Sequence, residues 1–413
     1  MLKKILYIST LVISATCLHA QTIVSDNAAF LASIDSNTIK LRNKLFPVVW
    51  QGDLNIYGFD ENEVPIYSDQ DIKARLNLLE SEIPLDYNEN VRPYIDLYTV
   101  RKRKLLAKVL TLSKLYFPII EEIFDREGIP LEMKYLAVIE SALNHGATSP
   151  VGAAGMWQFM APTGKMYGLK TTSALDERRD FIKSTEASVK YFKNSYRVYG
   201  DWLLVIASYN CGVGNVNKAI RKSGGKRNFW SIMPYLPRET RGYVPAFIAA
   251  TYAMNYASEH NIYPTELDLN YHTDTVLVDN RYSLEQLSMA LEMPLDELKQ
   301  LNPSLRKGFI PFTGEKISLT LPYNKVIKFS SINNFDNLNL VDEHLIALAD
   351  KQDKNYHKKH KQEKIYYKVK RGDLLASIAE QYDVTIKQLK KWNRIKSSKL
   401  KKGQRLTIYP NKA

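Results

Sequence analysis

Cysteine is nearly absent from this chain: its 413 residues hold two, Cys17 and Cys211. Cys17 lies in an apolar leader, so removal of the leader would leave Cys211 alone, which excludes an internal disulfide. Histidine is scarce too, at seven residues. His357 and His360 lack a third ligand at metal-binding spacing, and no metal or other cofactor is expected. Acidic residues fall short of basic ones, 44 against 57, for a net charge of +13. Neither a zinc-finger spacing nor an RNA-binding signature directs that charge, so nucleic acid is not expected as a partner. An anionic polymer or an anionic membrane surface fits it. A hydrophobic content of 45% over this length supports about two to four globular domains.

The apolar run at residues 5–18 is too short to span a bilayer comfortably. Lys3 and Lys4 precede it and Ala20 offers a small residue for cleavage, so residues 1–20 read as a secretory signal peptide. That places the chain in the periplasm or elsewhere in the cell envelope. Cys17 raises a second reading, membrane association through a lipid on its sulfur. The preceding Ser14, Ala15 and Thr16 lack the large apolar and small final residues of a lipidation site, which favours soluble export.

What the chain does have is a lone carboxylate in an apolar stretch. Residues 131–143, LEMKYLAVIESAL, follow Pro130 and favour a helix, and Glu140 is the only charged residue between 135 and 143. Apolar residues fall on every face, so the helix is expected to be buried. Burial disfavours the ionised carboxylate and raises its pKa, which suits a general acid. A structural Glu paired with an Arg or Lys is the alternative on these residues alone. A loop follows at 144–169, punctuated by Gly146, Gly152, Gly155, Gly164, Pro150 and Pro162.

Four ordered motifs carry the argument further. They are Glu140-Ser141, with Ser149 nine residues after the Glu; Gly155-Met156-Trp157-Gln158; Ser208-Tyr209-Asn210-Cys211-Gly212; and Glu239-Thr240-Arg241-Gly242-Tyr243-Val244. This set resembles the catalytic domain of the lytic transglycosylases of the soluble and membrane-bound D type, which has a goose-lysozyme-like fold. Trp157 and Ser208 depart from the family's Met and Ala, substitutions that bear on packing or subsite shape. Cys211 would need a His partner to act as a nucleophile, and among the motif segments only His145 stands near one; Cys211 is read as packing.

The fold class expected is mainly α: a lysozyme-like helical catalytic domain at 96–264, followed by small α+β (βααβ) modules. Residues 21–95 form an N-terminal extension. Pro118 is expected to break the apolar pattern of 105–127 into two helices, with the charges of 101–104 on a solvated side. Helices are expected at 181–199, 202–209 and 243–256. After Pro264 the texture changes, and residues 270–323 and 365–410 align at a constant offset of 91, Leu287 over Ile378, Leu298 over Leu389 and Asn302 over Asn393. The second copy resembles a LysM module, a binder of N-acetylglucosamine-containing glycans. The first is a degenerate relative, with Asn280-Arg281-Tyr282-Ser283 in place of the Gly-Asp pair and extra residues at 309–313. Residues 324–364 are a charged linker.

The resemblance implies cleavage of the β-1,4 bond between N-acetylmuramic acid and N-acetylglucosamine in peptidoglycan glycan strands, by a monomer and without cofactor. Glu140 would protonate the glycosidic oxygen, then act as base on the C6 hydroxyl, closing a 1,6-anhydro ring. Ser149, Met156, Gln158, Tyr209, Asn210, Glu239 and Tyr243 would bind substrate, with Ser149, Gln158 and Asn210 on acetamido and hydroxyl groups. Tyr209 and Tyr243 each offer an apolar ring and a polar tip. Glu239 stays open among substrate binding, an ion pair with Arg238 or Arg241, and a second carboxylate activating water in an ordinary lysozyme. Tyr135 and Tyr191 are read as core. A non-catalytic glycan-binding protein is the remaining alternative.

Overall fold

The apolar spacing of residues 105–127 produces one helix, Arg103–Glu127, that runs through Pro118 without a break. Pro118 and Lys114 both lie on the exposed side, so the carbonyl that the proline leaves without a donor sits toward water. Leu106, Val109 and Leu112 before it and Ile120, Ile123 and Phe124 after it are buried, and this common face keeps the two halves in line. This is a computed structural model, and it describes residues 55–265, 273–278, 281–311, 315–331, 365–369, 373, 375, 378–379, 382, 384, 386–395, 400 and 403–408. Residues 1–54, with Cys17 and the expected leader, and most of the segment 324–364 expected as a linker lie outside the described residues.

Two compact units divide the chain: Met1–Ser149, Met156–Gln158 and Ser188–Tyr271 form one, and Pro150–Gly155, Phe159–Ala187 and His272–Ala413 the other. In the first unit the helix Tyr243–Asn255 is buried from Tyr243 to Ala253. It packs against the helices Arg92–Asp96, Tyr135–Ser141 and Trp202–Cys211. The helix Asp69–Leu78 starts on a capping box in which Ser68 and Asp71 satisfy each other's backbone N–H. It is tied to the same body: Tyr67 donates to the Glu259 carbonyl at 2.7 Å, and Tyr256 donates to that of Arg75 at 2.7 Å. Between Arg92–Asp96 and Arg103–Glu127 lies a turn of π-helix, Leu97–Arg101. Arg103 is not on a solvated face as its neighbours suggested; it donates to the carbonyls of Thr99, His260 and Asn261 at 2.8–2.9 Å.

In the second unit the strands Thr273–Val278 and Ile317–Pro322 pair antiparallel, enclosing the helices Leu284–Leu291 and Leu295–Leu301 in sequence. The extra residues of this copy have a structural use: Phe309–Ile310 pairs with Tyr282–Ser283 as a second short ladder, with Phe309 and Ile310 buried. The helix Tyr323–Ser331 follows, and its Val326 and Phe329 pack on the module core, so packing continues past residue 323 into the first part of the charged segment. In the C-terminal copy Ile365–Lys368 pairs with Arg405–Ile408, and the helix Ile386–Asn393 lies between them in sequence.

The repeat holds atom for atom at its polar centre. Asn302 donates to the carbonyls of Leu298 and Thr320 and accepts from the Thr320 N–H, at 2.7–2.9 Å. Asn393 makes the same three bonds with Leu389 and Thr407 at 2.6–2.9 Å. The aligned Leu287, Leu298, Ile378 and Leu389 are all buried. Asn302→Ala would strand the Thr320 N–H and carbonyl, and is expected to destabilise its module by about 2 kcal/mol. Urea unfolding followed by a probe in 273–331 checks this; an unshifted midpoint would refute the lock.

Candidate active site

The helix that carries Glu140 ends earlier than its composition suggests. Leu131–Lys134 is a turn of 3₁₀-helix, Tyr135–Ser141 is α-helix, and Ala142 and Leu143 both take positive φ, +52° and +61°. Two consecutive left-handed residues with side chains are strained by roughly 1–2 kcal/mol each, and their burial holds them in place. They stop the helix one residue after Glu140. Ser141 then fastens the turn: its Oγ donates to the Met156 carbonyl at 2.8 Å and accepts from the Asn144 N–H at 3.0 Å.

All seven residues of Tyr135–Ser141 are buried, so Glu140 has an apolar sheath. The hydrogen-bond partner of its carboxyl is the Tyr243 hydroxyl, which donates to Oε1. No cation is paired with it in that contact, which sets aside the structural ion-pair alternative. Burial pushes the Glu140 carboxyl up to about 7, against the smaller downward pull of the Tyr243 hydrogen bond. Tyr243 is itself raised well above its ordinary value by burial and the adjoining carboxylate, so it remains a donor.

Around this pair the first unit gathers most of the motif residues. Tyr209 stands near Tyr243 and donates to the Trp157 carbonyl at 2.7 Å. Trp157 is fully buried among Phe124 and Phe192, with centroids 5.9 Å away in each case, so its departure from the family's Met is a packing feature. Ser208 is buried, and its carbonyl accepts from Tyr191 at 2.5 Å. Tyr191 is core, as read, with its ring edge-on to Tyr209 at 5.0 Å. Gln158 is partly exposed and takes φ +46°, a third non-glycine left-handed residue in this neighbourhood by sequence motif. Met156 is fully buried, against its expected place among the substrate-binding side chains, and its carbonyl accepts from Ser141 Oγ. Ser149 is half-buried early in the loop that follows. Asn210 is exposed and accepts from Thr240 Oγ1 at 2.8 Å, which joins the third motif to the fourth. Glu239 is exposed at the start of that turn and does not share the burial of Glu140.

Burial pushes the Cys211 thiol up to about 11, far from a thiolate nucleophile. Ser141 and Thr240 were not singled out from the sequence as positioning groups, although both stand inside the motifs. Among the described residues no group of His, Cys, Asp and Glu could hold a metal ion, and no helix is long and apolar enough to cross a membrane.

Residues 118–231 match the family described as transglycosylase SLT domain. Residues 272–334 match the LysM-like domain of lytic transglycosylase MltD, and 367–408 the LysM domain. Membrane-bound lytic murein transglycosylase D of Escherichia coli (strain K12) is 30% identical over 333 residues, 80% of this chain and 71% of that protein. The chain belongs to the lytic murein transglycosylases. A soluble lytic murein transglycosylase of the same strain is 31% identical over 116 residues, only 18% of its length. The solved 70 kDa soluble lytic transglycosylase from Escherichia coli covers 43% of this chain and 32% of its own at 20% identity, with a TM-score of 0.32, too low to compare folds. The transglycosylase is thus an enzyme with a mainly helical region matched by the SLT model and small LysM-type sheets behind it in sequence.

The raised Glu140 carboxyl has a consequence for stability. Its folded pKa of about 7 lies above the ordinary 4.5, so the folded state holds the proton more tightly. Its contribution is full below about pH 4.5 and is lost as pH rises toward 7. Glu140→Gln escapes that loss and is expected to be more stable than wild type at pH 8 by about 3 kcal/mol, with little difference at pH 4. Equal denaturation midpoints at pH 8 would contradict the raised pKa.

Proposed function

We propose that this transglycosylase is exported to the cell envelope, where it cleaves the bond between N-acetylmuramic acid and N-acetylglucosamine in peptidoglycan and forms a 1,6-anhydro end. The observation that carries this reading is one buried carboxyl, its pKa pushed up to about 7, with a phenol as its hydrogen-bond partner. Most glycosidases that use water place two carboxylates about the scissile bond. One suffices where the sugar supplies its own nucleophile. Glu140 gives its proton to the glycosidic oxygen as the C1–O bond breaks. The carboxylate it becomes takes the proton of the C6 hydroxyl, whose oxygen closes on C1. The substrate's 2-acetamido group stabilises the positive charge at C1 between the steps. Tyr243 supports each carboxyl form through its hydrogen bond and stays protonated throughout.

Ser149, Gln158 and Asn210 serve as hydrogen-bonding groups for the acetamido and hydroxyl substituents, and Tyr209 as a sugar-facing ring; Met156 supports them from beneath. The catalytic domain spans 96–264, and 365–410 binds the glycan and holds the enzyme, a soluble monomer, on the wall. Glu239 is the place to look should water prove to be the nucleophile, since it is the exposed carboxylate within the motifs.

Mass spectrometry of muropeptides released from purified peptidoglycan tests the chemistry. Products one water lighter than hydrolytic ones are expected from wild type, and at least a hundredfold less product from Glu140→Gln. Reducing ends with water added would make this a hydrolysing muramidase, and no release from wild type would leave a binding protein. Deletion of 365–410 is expected to weaken sedimentation with insoluble peptidoglycan several-fold while sparing activity on soluble fragments. Equal sedimentation of both proteins would refute the wall-binding role.

A further inference from the structure

A buried charge pair in the second unit is left unused by this chemistry. Asp176 is 0% exposed and Arg178 6%. The guanidinium grips the carboxylate twice, Nε to Oδ1 and Nη2 to Oδ2, each at 2.9 Å. Its remaining arm, Nη1, donates to the carbonyls of Gly152 and Phe159, both at 2.9 Å. Only arginine's planar fork can serve a carboxylate and two carbonyls together. Those carbonyls stand at the two ends of the segment carrying Met156 and Gln158, which the Ala154 N–H closes by donating to Phe159 at 3.0 Å. Gly155, at φ +88°, turns the segment so closely over Arg178 that a Cβ there would lie 1.6 Å from the Arg178 carbonyl oxygen.

The anchor is held in turn. Thr171 and Asp176 bridge a small hairpin, closed by the Glu177 N–H on the Lys170 carbonyl at 2.9 Å. Its tip residue Leu175 is buried in the core of the 273–331 module and pairs with Leu305. The Asp176 N–H donates to the Ser304 carbonyl at 2.9 Å, and the Arg306 N–H to that of Ala174 at 2.8 Å. Lys170 adds an ion pair with Glu315 at 2.8 Å. A left-handed Gln158 persists only where its surroundings over-determine the backbone, and the Arg178 bond to the very next carbonyl does so.

We infer that Arg178, seated on Asp176 and braced by the 273–331 module, is a positioning residue that sets the 152–159 loop so that Gln158 meets the substrate. The degenerate module then serves the enzyme as a brace. This rests on the reading of Gln158 as a substrate-binding residue.

Steady-state kinetics of the full chain on soluble glycan strands test it, with Arg178→Lys, Gln158→Ala and the double variant. Lysine keeps the charge and loses the fork. With circular dichroism showing a folded protein at the assay temperature, Arg178→Lys is expected to lower kcat about tenfold or more. In the Gln158→Ala background the same change should cost less than about twofold, because its effect passes through Gln158. Where Arg178→Lys does not fold, Asp176→Asn takes its place with the same expectations. An unchanged kcat in the folded variant, or a full loss added on top of Gln158→Ala, would overturn the positioning role. Wild-type kinetics from Gln158→Ala itself would instead overturn the reading of the site.

Discussion

A carboxyl group surrounded by hydrocarbon and reached by one phenol is the constraint on which the rest of this structure turns. Holding Glu140 there requires a helix buried on every side, and Tyr135–Ser141 is so buried. It requires that the helix stop at once, and Ala142 and Leu143 stop it with left-handed backbone. It requires that the turn not drift, and the Ser141 hydroxyl pins it to the Met156 carbonyl. The donor comes from the buried start of Tyr243–Asn255, a helix that also packs against Tyr135–Ser141. Together these parts keep the carboxyl largely out of water.

Burial alone does not decide how a titratable group behaves. Asp176 is buried like Glu140, and desolvation pushes its carboxyl up as well. The Arg178 hydrogen bond and the charges of Arg178, Arg179 and Arg306 outweigh that push and hold it below the usual range. Glu140 has no such cation beside it to offset burial, and its carboxyl rises. His260 shows the opposite sign: burial, with Arg75, Arg103 and Arg92 nearby, pushes it down to about 4, where it is a neutral hydrogen-bonding partner of Tyr252. Between Asp176 and Glu140 the neighbours decide the outcome.

Much of the site was legible because its chemistry needs residue types at fixed order. A single carboxylate in an apolar run marked Glu140, and the motif order marked Tyr209, Asn210 and Tyr243. The helix Phe181–Tyr199 and the strand Thr273–Val278 followed directly from period and composition. What failed to show was long-range. Pro118 reads as a breaker until the burial on both sides of it is known. Ala142 and Leu143 are good helix formers, and tertiary packing overrides that preference. The run Asp176-Glu177-Arg178-Arg179-Asp180 holds five consecutive charged residues, yet four of the five fall among the buried polar groups. No local signal separates a surface charge cluster from a buried lock, because the carbonyls that satisfy Arg178 lie 26 and 19 residues away.

The shared asparagine lock also explains how two modules of one fold differ in length. Asn302 reaches across 18 residues to Thr320, and Asn393 across 14 to Thr407. Closing the longer ring costs only a few tenths of a kcal/mol more, about (3/2)RT times the logarithm of the length ratio. Chain inserted inside the ring is therefore nearly free in loop-closure entropy, and here it supplies the Phe309–Ile310 ladder. A module closed by one side chain can change its surface at small entropic expense while its interior stays the same.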